Sequence, residues 1–251
     1  MSKHKEIIRE EYAKALESAN KNQSSCCSSE DSNQQESSCC STPKLTLTPN
    51  VQIEIPSFGS TNNLAVKANL KDGDIVVDFG SGPGHDILQA AKIVGKSGLA
   101  IGIDFTPEMV ENATKLAEKM GLENVLVYQG DIENVPIESN IADVVISNCV
   151  INLANDKLAV FKEAYRILKS GGRLFDSDVI AGEIFPESLK ENREALCGCI
   201  AGALTQDGYI ELIKQAGFVD IKVDLENKYR KIIWKGKDYL TYSGIITAIK
   251  P

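Results

Sequence analysis

Three glycines at alternating positions carry the strongest chemical signal in this sequence. Gly80, Gly82 and Gly84 form a G-x-G-x-G turn between a short apolar run and a helical pattern. Glycine allows the positive φ angles and the close backbone approach that a turn around a nucleotide-like ligand needs. Asp104 ends the next apolar run, where a carboxylate can accept hydrogen bonds from both hydroxyls of a ribose. The spacing predicts a nucleotide cofactor site, with a plain strand-to-helix turn as the structural alternative.

The residues alone leave the identity of the nucleotide open. NAD uses the same geometry, but its fingerprint is G-x-G-x-x-G, whereas here the third glycine comes one residue early and His85 follows it. We interpret His85 as a helix-start residue without a chemical role. After a third apolar run, Asp131 can accept a hydrogen bond from the exocyclic amine of an adenine, and Ile132 can pack on the ring.

Cysteines offer a second kind of chemistry. The sequence contains seven: the adjacent pairs Cys26-Cys27 and Cys39-Cys40 in a Ser-rich stretch, and then Cys149, Cys197 and Cys199. Because the chain shows no export signal, thiol chemistry or soft-metal binding is favoured over a disulfide scaffold. Free cysteines are also common as small buried hydrophobes, which is the structural alternative for Cys149 and Cys199.

Alternating strand and helix patterns must position these residues. Strands are predicted at residues 75–78, 99–103, 125–129, 143–147 and 173–178, and helices at 5–17, 62–69 and 156–168 and after Gly84 and Thr106. Thr106-Pro107-Glu108 begins its helix as a cap, a first-turn proline and a dipole-favoured acid. This alternation predicts an α/β fold with a doubly wound, mostly parallel, Rossmann-like sheet.

Composition excludes several classes of function. With 251 residues, 43% of them hydrophobic and 25% charged, the chain is long enough to bury a proper core. No apolar run approaches the ~20 residues of a membrane span, and the N-terminus lacks the apolar part of a secretory signal, so we expect a cytoplasmic protein. A formal charge of −8 argues against a nucleic-acid partner and favours a small-molecule substrate.

We divide the chain into three parts. Residues 1–43 are expected to form a helix and a flexible tail with the cysteine pairs, because no large apolar residue occurs from Ser18 to Pro43. Residues 44–180 form the cofactor-binding domain, and residues 181–251 form the substrate-site region. For residues 181–251 we expect either a small α+β appendage or the antiparallel end of the sheet.

Five segments together resemble the class I S-adenosylmethionine-dependent methyltransferases. They are VVDFGSGPG, GIDFTPEM, QGDIENVP, DVVISN and LKSGGRL, and they extend from about Asp72 to Asp178. The resemblance implies S-adenosylmethionine as the cofactor of the 44–180 domain. It implies cofactor contacts for Asp78, Gly80, Ser81, Gly82, Gly84, Asp104, Phe105, Asp131, Ile132 and Asn148. For Asp78, satisfying backbone N–H groups is an alternative role.

Two further segments, SNCVINL and CIAGAL, resemble the arsenite methyltransferase family and contain Cys149 and Cys199. The resemblance implies that these thiolates bind trivalent arsenic and that the arsenic lone pair attacks the methyl group. Thiolates suit such a soft, thiophilic centre. A reduced thiol such as glutathione is expected as co-reactant. Cys197 lies two residues from Cys199 and would share its face on a strand but not on a helix, so we interpret it as an accessory ligand.

One position departs from the family pattern. A further arsenic-binding cysteine in a Gly-Cys-Gly-like turn is matched here by Gly59-Ser60, and a hydroxyl is not an equivalent soft ligand. One possibility is that an external thiol or an N-terminal cysteine pair supplies the third ligand. The other is that the substrate is already methylated, or is not arsenic. The accessory candidates in the tail are Cys26, Cys27, Cys39 and Cys40. They predict a metalloid-capturing tail, with a passive tail as the alternative, since their spacing lacks the C-x2-C of zinc sites.

Three functions are compatible with these residues. The first is an arsenic-detoxifying methyltransferase, expected to be a monomer that uses reduced thiols or a thiol reductant protein. The second is a class I methyltransferase acting on a small organic acceptor, such as a quinone precursor, with the cysteines merely packed. The third is a non-catalytic metalloid sequestrant. Loss of both thiols would abolish activity in an arsenic methyltransferase but spare much of it in a methyltransferase of an organic acceptor. A sequestrant would bind arsenite without turnover.

Overall fold

The computed structural model describes residues 3–23, 44–48, 51–54 and 63–251. The N-terminal cysteine pairs, most of the predicted flexible tail and the Gly59-Ser60 turn lie outside these residues. In the described part of the chain, no helix has both the length and the apolar composition to cross a bilayer.

The chain alternates between strands and helices over most of the described length. The strands are β1 (Lys44–Thr48), β2 (Val51–Glu54), β3 (Ile75–Phe79), β4 (Leu99–Asp104), β5 (Val125–Gln129), β6 (Ala142–Asn148), β7 (Leu168–Ala181), β8 (Val219–Trp234) and β9 (Lys237–Ile249). The helices are α1 (Lys3–Gln23), α2 (Leu64–Lys67), α3 (His85–Val94), α4 (Pro107–Lys119), α5 (Lys157–Ile167), α6 (Glu187–Lys190), α7 (Arg193–Cys197) and α8 (Gln206–Gln215). A 3-10 helix spans Ile151–Leu153.

The main sheet has the strand order β5-β4-β3-β6-β7-β9-β8. Strands β3 to β7 pair in parallel, and β9 runs antiparallel to both of its neighbours. The winding reverses between β3 and β6, which lie side by side. In doubly wound sheets the ligand crevice lies beyond the carboxyl ends of the strands at this switch point. The predicted doubly wound, mostly parallel sheet is confirmed.

Helices cover both faces of the sheet because its central strands are apolar on both sides. Val77 of β3 packs with α5 and α8, whereas its neighbour Val76 packs with α2 and α3. Both valines are fully buried. Successive strand residues point to opposite faces, so one short apolar run contributes to both layers of the core.

Helix α4 begins at Pro107 as predicted, but Thr106 does not cap it through its side chain. The backbone N–H of Thr106 instead donates a hydrogen bond to the carboxylate of Asp104 at 2.9 Å. The acid predicted to bind a ribose therefore also fixes the entry to this helix.

The C-terminal strands form the antiparallel end of the main sheet, which was one of the two predicted alternatives. Strand β9 inserts between β7 and β8 and pairs with β7 from Arg173 to Ala181. Helices α6 and α7 pack on the far ends of these long strands in a small cluster that includes Phe185, Leu189 and Tyr239. The C-terminal helices α6 and α7 therefore pack against extensions of strands of the main sheet, and do not form a separate unit. The division of the chain at residues 43 and 180 stays a prediction.

Helix α1 runs from Lys3 to Gln23 and is longer than the predicted 5–17. Ile8 and Leu16 of its apolar face are buried. Once the face is docked, each further residue adds one backbone hydrogen bond, so a helix can continue through polar sequence.

Candidate active site

A cleft of about 620 Å³ opens at the carboxyl ends of β3, β4 and β6. Its walls come from the glycine turn, the start of α4, the segment after β6 and helix α1. Of the predicted site residues, it is lined by Asp78, Gly80, Ser81, Gly82, Asp104, Phe105, Asn148 and Cys149. The sheet topology thus brings together side chains from four separate parts of the sequence.

The glycine turn has a backbone that other residues would strain. Gly80, Gly82 and Gly84 have φ angles of 67°, 51° and 107°. A Cβ on Gly80 would lie 2.5 Å from a methyl carbon of Val150, and a Cβ on Gly84 would lie 3.1 Å from the Cβ of Ala113. The turn therefore needs glycine both for its conformation and for its close contacts.

Asp104 closes the turn from the neighbouring strand. One carboxylate oxygen accepts a hydrogen bond from the N–H of Gly82 at 2.9 Å, and the other accepts one from Thr106 at 2.9 Å. Burial raises the pKa of Asp104, and these two hydrogen bonds oppose the rise. Each oxygen keeps a further lone pair, so the carboxylate can still accept hydrogen bonds from two ribose hydroxyls.

Asp78 lies in the wall of the cleft beside two other carboxyl groups. Burial, and then the charges of Asp86 and Asp104, raise the pKa of Asp78 well above its ordinary value. A carboxyl group in this setting favours its protonated form and can donate a hydrogen bond to a ligand.

Several buried polar atoms around the glycine turn have no hydrogen-bond partner within the described residues. They are Ser81 Oγ, His85 Nδ1 and Asp86 Oδ1. The second oxygen of Asp86 accepts a hydrogen bond from the side-chain amide of Asn148 at 2.8 Å. Buried polar atoms are normally satisfied, so these atoms fit a ligand with polar groups of its own, as S-adenosylmethionine has.

Asp131 and Ile132 lie outside the lining of this cleft. Ile132 packs in the main core. The partly exposed Asp131 forms an ion pair with Lys5 of α1, whose amine also lies 3.0 Å from Glu133. Their contacts with an adenine stay a prediction, in which the carboxylate of Asp131 serves both Lys5 and the ligand.

Cys149 and Cys199 come together although fifty residues separate them. The thiol of Cys199 donates a hydrogen bond to the carbonyl oxygen of Cys149 at 2.7 Å. Both are free thiols and are 9% and 2% exposed, respectively. The adjacent Cys199 side chain, and then burial, raise the pKa of the Cys149 thiol well above its ordinary value. In the protein without ligand, Cys149 is therefore a neutral thiol at physiological pH.

Both cysteines adopt a left-handed backbone conformation, with φ angles of 60° and 58°. Residues with a side chain avoid this region, which costs on the order of 1 kcal/mol or more at each position. The surrounding structure holds them there: the N–H of Cys149 donates to the carbonyl of Ser177 at 2.8 Å, and that of Cys199 donates to Leu196 at 3.3 Å.

A carboxyl group adjoins the thiol pair. The sulfur atoms of Cys149 and Cys199 and a carboxylate oxygen of Asp178 all lie within 4.8 Å of one another. Asp178 accepts hydrogen bonds from the amide side chain of Asn152 at 2.8 Å and from its backbone N–H at 3.1 Å. The buried hydroxyl of Tyr209 donates to Asn152 at 2.7 Å. Burial raises the pKa of Asp178 to about 6, although its hydrogen bonds oppose the rise.

Helix α1 covers the thiol pair on another side. Ile8 packs against Cys149 and Cys199, and Ile8 and Tyr12 both line the cleft. The hydroxyl of Tyr12 donates a hydrogen bond to the carbonyl of Cys197 at 3.1 Å and lies 4.0 Å from the sulfur of Cys199. Cys197 itself is partly exposed at the end of α7. Its accessory role stays a prediction, as do the roles of the N-terminal cysteine pairs.

Sequence analysis missed three of these groups: Asp86, Asp178 and Tyr12. Asp178 carries only the signal of a predicted strand end, and Tyr12 lies within the predicted helix at 5–17. Asp86 has a usable signal, since it lies two residues after Gly84 and belongs to the first turn of α3.

The strand order, the antiparallel β9, the glycine turn after β3 and the acid at the end of β4 together define a class I methyltransferase fold. A sequence profile described as a methyltransferase domain matches residues 70–217, more than half of the chain. The chain belongs to this methyltransferase domain family.

Its similar proteins include several arsenite methyltransferases. The arsenite methyltransferase of Halobacterium salinarum is 38% identical over 190 residues, covering 73% of this chain and 48% of that protein. The mouse enzyme is 40% identical over 152 residues, covering 57% and 40%, respectively. The crystal structure of an arsenic(III) S-adenosylmethionine methyltransferase from Chlamydomonas reinhardtii aligns with a TM-score of 0.61 and 34% identity, covering 72% of this chain and 64% of that one. The chain spans about half the length of these two curated relatives.

Proposed function

We propose that this chain transfers a methyl group from S-adenosylmethionine to trivalent arsenic held by Cys149 and Cys199. The observation that carries the proposal is the position of the two thiols. Cys149 lines the same cleft as the glycine turn and Asp104, and Cys199 contacts Cys149. The relatives named arsenite methyltransferases support arsenic as the acceptor.

In this proposal the cleft holds the cofactor along the glycine turn. S-adenosylmethionine supplies an electrophilic methyl group on a positively charged sulfur. Gly80, Gly82 and the start of α3 are assigned to its methionine part, and Asp104 is assigned to its ribose. Asp131 and Ile132 are assigned to its adenine. The unpartnered polar atoms of Ser81 and Asp86 support this assignment, because a bound ligand can satisfy them.

The thiol pair binds the acceptor by ligand exchange. Each As–S bond forms as an As–OH bond breaks, and the thiol proton leaves with the hydroxide as water. The raised pKa of Cys149 is therefore compatible with binding, because the proton leaves as the bond forms. The arsenic lone pair carries no proton, so methyl transfer needs no general base, only an in-line approach. As the As–C bond forms, the C–S bond to the methyl group breaks and S-adenosylhomocysteine leaves. The methylated arsenic is then formally pentavalent, and two reduced thiols return it to the trivalent state as they form a disulfide.

A reduced thiol such as glutathione is the proposed co-reactant. Arsenic must reach the pair in the trivalent state, and both cysteines must stay reduced to bind it. The cover that α1 provides over the pair keeps bulk water away from the bound metalloid.

The test measures methylated arsenic directly. Purified protein is incubated with S-adenosylmethionine, glutathione and either arsenite or monomethylarsonous acid, and the arsenic species are separated with element-specific detection. We expect methylated products from the wild type and from the control Cys197→Ser, and none from Cys149→Ser or Cys199→Ser. Cofactor binding without any methylated arsenic would contradict the proposal and favour an organic acceptor. Arsenite binding without turnover would instead indicate a sequestrant.

A further inference from the structure

We propose that Asp178 is the third protein donor to trivalent arsenic, so that the site consists of two sulfur atoms and one carboxylate oxygen. The inference rests on the proposed function and names a ligand that the sequence leaves open. Ser60, which the family resemblance matches to a third cysteine, lies outside the described residues.

The three donor atoms lie close enough together to bind one arsenic atom. The two sulfurs and the Asp178 oxygen lie within 4.8 Å of one another, so a single ion can contact all three. Cys149 follows β6, Asp178 belongs to β7, and Cys199 follows α7. Trivalent arsenic takes three ligands on one side and keeps its lone pair on the other, and a triangle of donors from three converging segments provides such a face.

Hydrogen bonds hold the carboxylate of Asp178 in a fixed orientation. Its Oδ1 atom accepts hydrogen bonds from the N–H of Val179 and from the side-chain amide of Asn152, both at 2.8 Å. The Oδ2 atom accepts one backbone hydrogen bond, from Asn152 at 3.1 Å. Oδ2 therefore keeps a lone pair, and a carboxylate oxygen of Asp178 lies within 4.8 Å of both sulfur atoms. The carboxylate is fixed from behind and faces the sulfur atoms.

Placing an acid at this buried position costs folding free energy. Asp178 has no exposed surface, and a neutral side-chain acceptor could hold Asn152 without the penalty of burying a charge. An electron-poor centre bound to Cys149 would offset that penalty. The charge of Lys157 already offsets part of this penalty, and a bound arsenic centre would offset more of it.

The binding reaction balances without a redox partner. Arsenite enters as As(OH)₃, and two hydroxides leave as water with the protons of Cys149 and Cys199. The third hydroxide leaves as water with a proton from solvent, while the Asp178 oxygen donates its electron pair to arsenic. Arsenic stays trivalent throughout.

The experiment compares two arsenicals that need different numbers of protein donors. Arsenite has three exchangeable positions, whereas monomethylarsonous acid has one As–C bond and only two. Binding is measured by equilibrium dialysis with elemental detection on the full chain. To remove competing thiols, serine replaces Cys26, Cys27, Cys39, Cys40 and Cys197.

In this background we expect Asp178→Asn to weaken arsenite binding on the order of tenfold or more, while binding of monomethylarsonous acid stays within about twofold. We expect Asp178→Cys, which supplies a third sulfur, to bind arsenite more tightly than the parent does. Retained S-adenosylmethionine affinity and thermal unfolding show that each variant is folded. If Asp178→Asn does not fold, the comparison of Asp178→Cys with the parent decides.

Equal weakening of both arsenicals by Asp178→Asn would overturn the inference, because it would mean that Asp178 only positions the thiols. Tighter arsenite binding by Asp178→Cys, with unchanged binding of monomethylarsonous acid, would support the inference. Unchanged binding of both arsenicals by Asp178→Cys would overturn it. If the parent binds neither arsenical, the proposed function itself fails.

Discussion

Cys149 lines the cleft and its thiol has a raised pKa, so the pH dependence of its alkylation should differ from that of an exposed cysteine. Because the adjacent Cys199 side chain and burial favour the protonated thiol, a smaller fraction of Cys149 is thiolate at any given pH than in a free cysteine. We therefore expect the rate of alkylation of Cys149 by iodoacetamide to keep rising above pH 9, where the thiolate of an exposed thiol is already approaching saturation. Peptide mass spectrometry of timed samples measures this rate.

The control for this profile is the same peptide alkylated in denaturant, where Cys149 is exposed. Poor access alone would slow alkylation equally at every pH, so the position of the plateau is the informative quantity. A plateau in the folded protein at or below that of the denatured chain would contradict the raised pKa.

At the residue scale, sequence reasoning found the groups that carry local signals. The glycines and Asp104 stand in a pattern that a short stretch of chain reveals, and the structure places them around one cleft. Asp178 carries no such signal, because an acid at a strand end is common. Only the parallel pairing of β6 with β7, in which Asn148 lies opposite Ser177, brings its carboxylate to Cys149.

Between elements, the two cysteine-bearing segments touch through their backbones. A Cβ on Gly202 would lie 1.9 Å from the carbonyl oxygen of Asn152, in the 3-10 helix that follows Cys149. Gly202→Ala must therefore push the segment of Cys199 away from that of Cys149. We expect a loss of unfolding free energy of about 1–3 kcal/mol, as is typical of overpacking, and weaker arsenite binding. Urea unfolding and equilibrium dialysis measure the two effects.

Gly208→Ala is the matched control for this substitution. Its added Cβ would lie 3.3 Å from Thr205 Oγ1, a tight contact without a backbone clash, and alanine is the better helix former in α8. Equal stability and arsenite affinity in the two variants would contradict the argument.

The elements themselves were largely predictable, whereas their ends were not. The central strands of the sheet appear close to their predicted positions, because short buried runs are bounded by glycines and acids. Strand β7 runs from Leu168 to Ala181 and is longer than the predicted 173–178. Its extra length comes from pairing with β9 and from packing near α6 and α7, which are long-range effects that no local pattern encodes.

Across the whole molecule, α1 joins regions far apart in the sequence. His4 contacts the carbonyl of Leu153, and Lys5 pairs with Asp131. We expect Lys5→Ala to loosen this attachment, so that amides of α1 exchange hydrogen faster and Cys149 is alkylated several-fold faster. Hydrogen-exchange mass spectrometry and the alkylation assay measure both.

Lys14→Ala is the control, because the exposed amine of Lys14 pairs with Glu11 of the same helix. Its removal should leave the docking of α1 intact, since exposed pairs of this kind contribute little. If the two variants exchange and alkylate alike, Lys5 does not hold the helix in place.

The left-handed backbone at Cys149 and Cys199 also bears on how this protein can be engineered. Glycine or asparagine would relax both positions, so a screen for heat resistance alone would favour replacing them. Each gain in melting temperature would then remove one of the two sulfur atoms proposed to bind arsenic. Directed evolution of a more thermostable variant must therefore select for methylation activity and thermal stability together. At these two positions a substitution that raises stability is expected to lower activity.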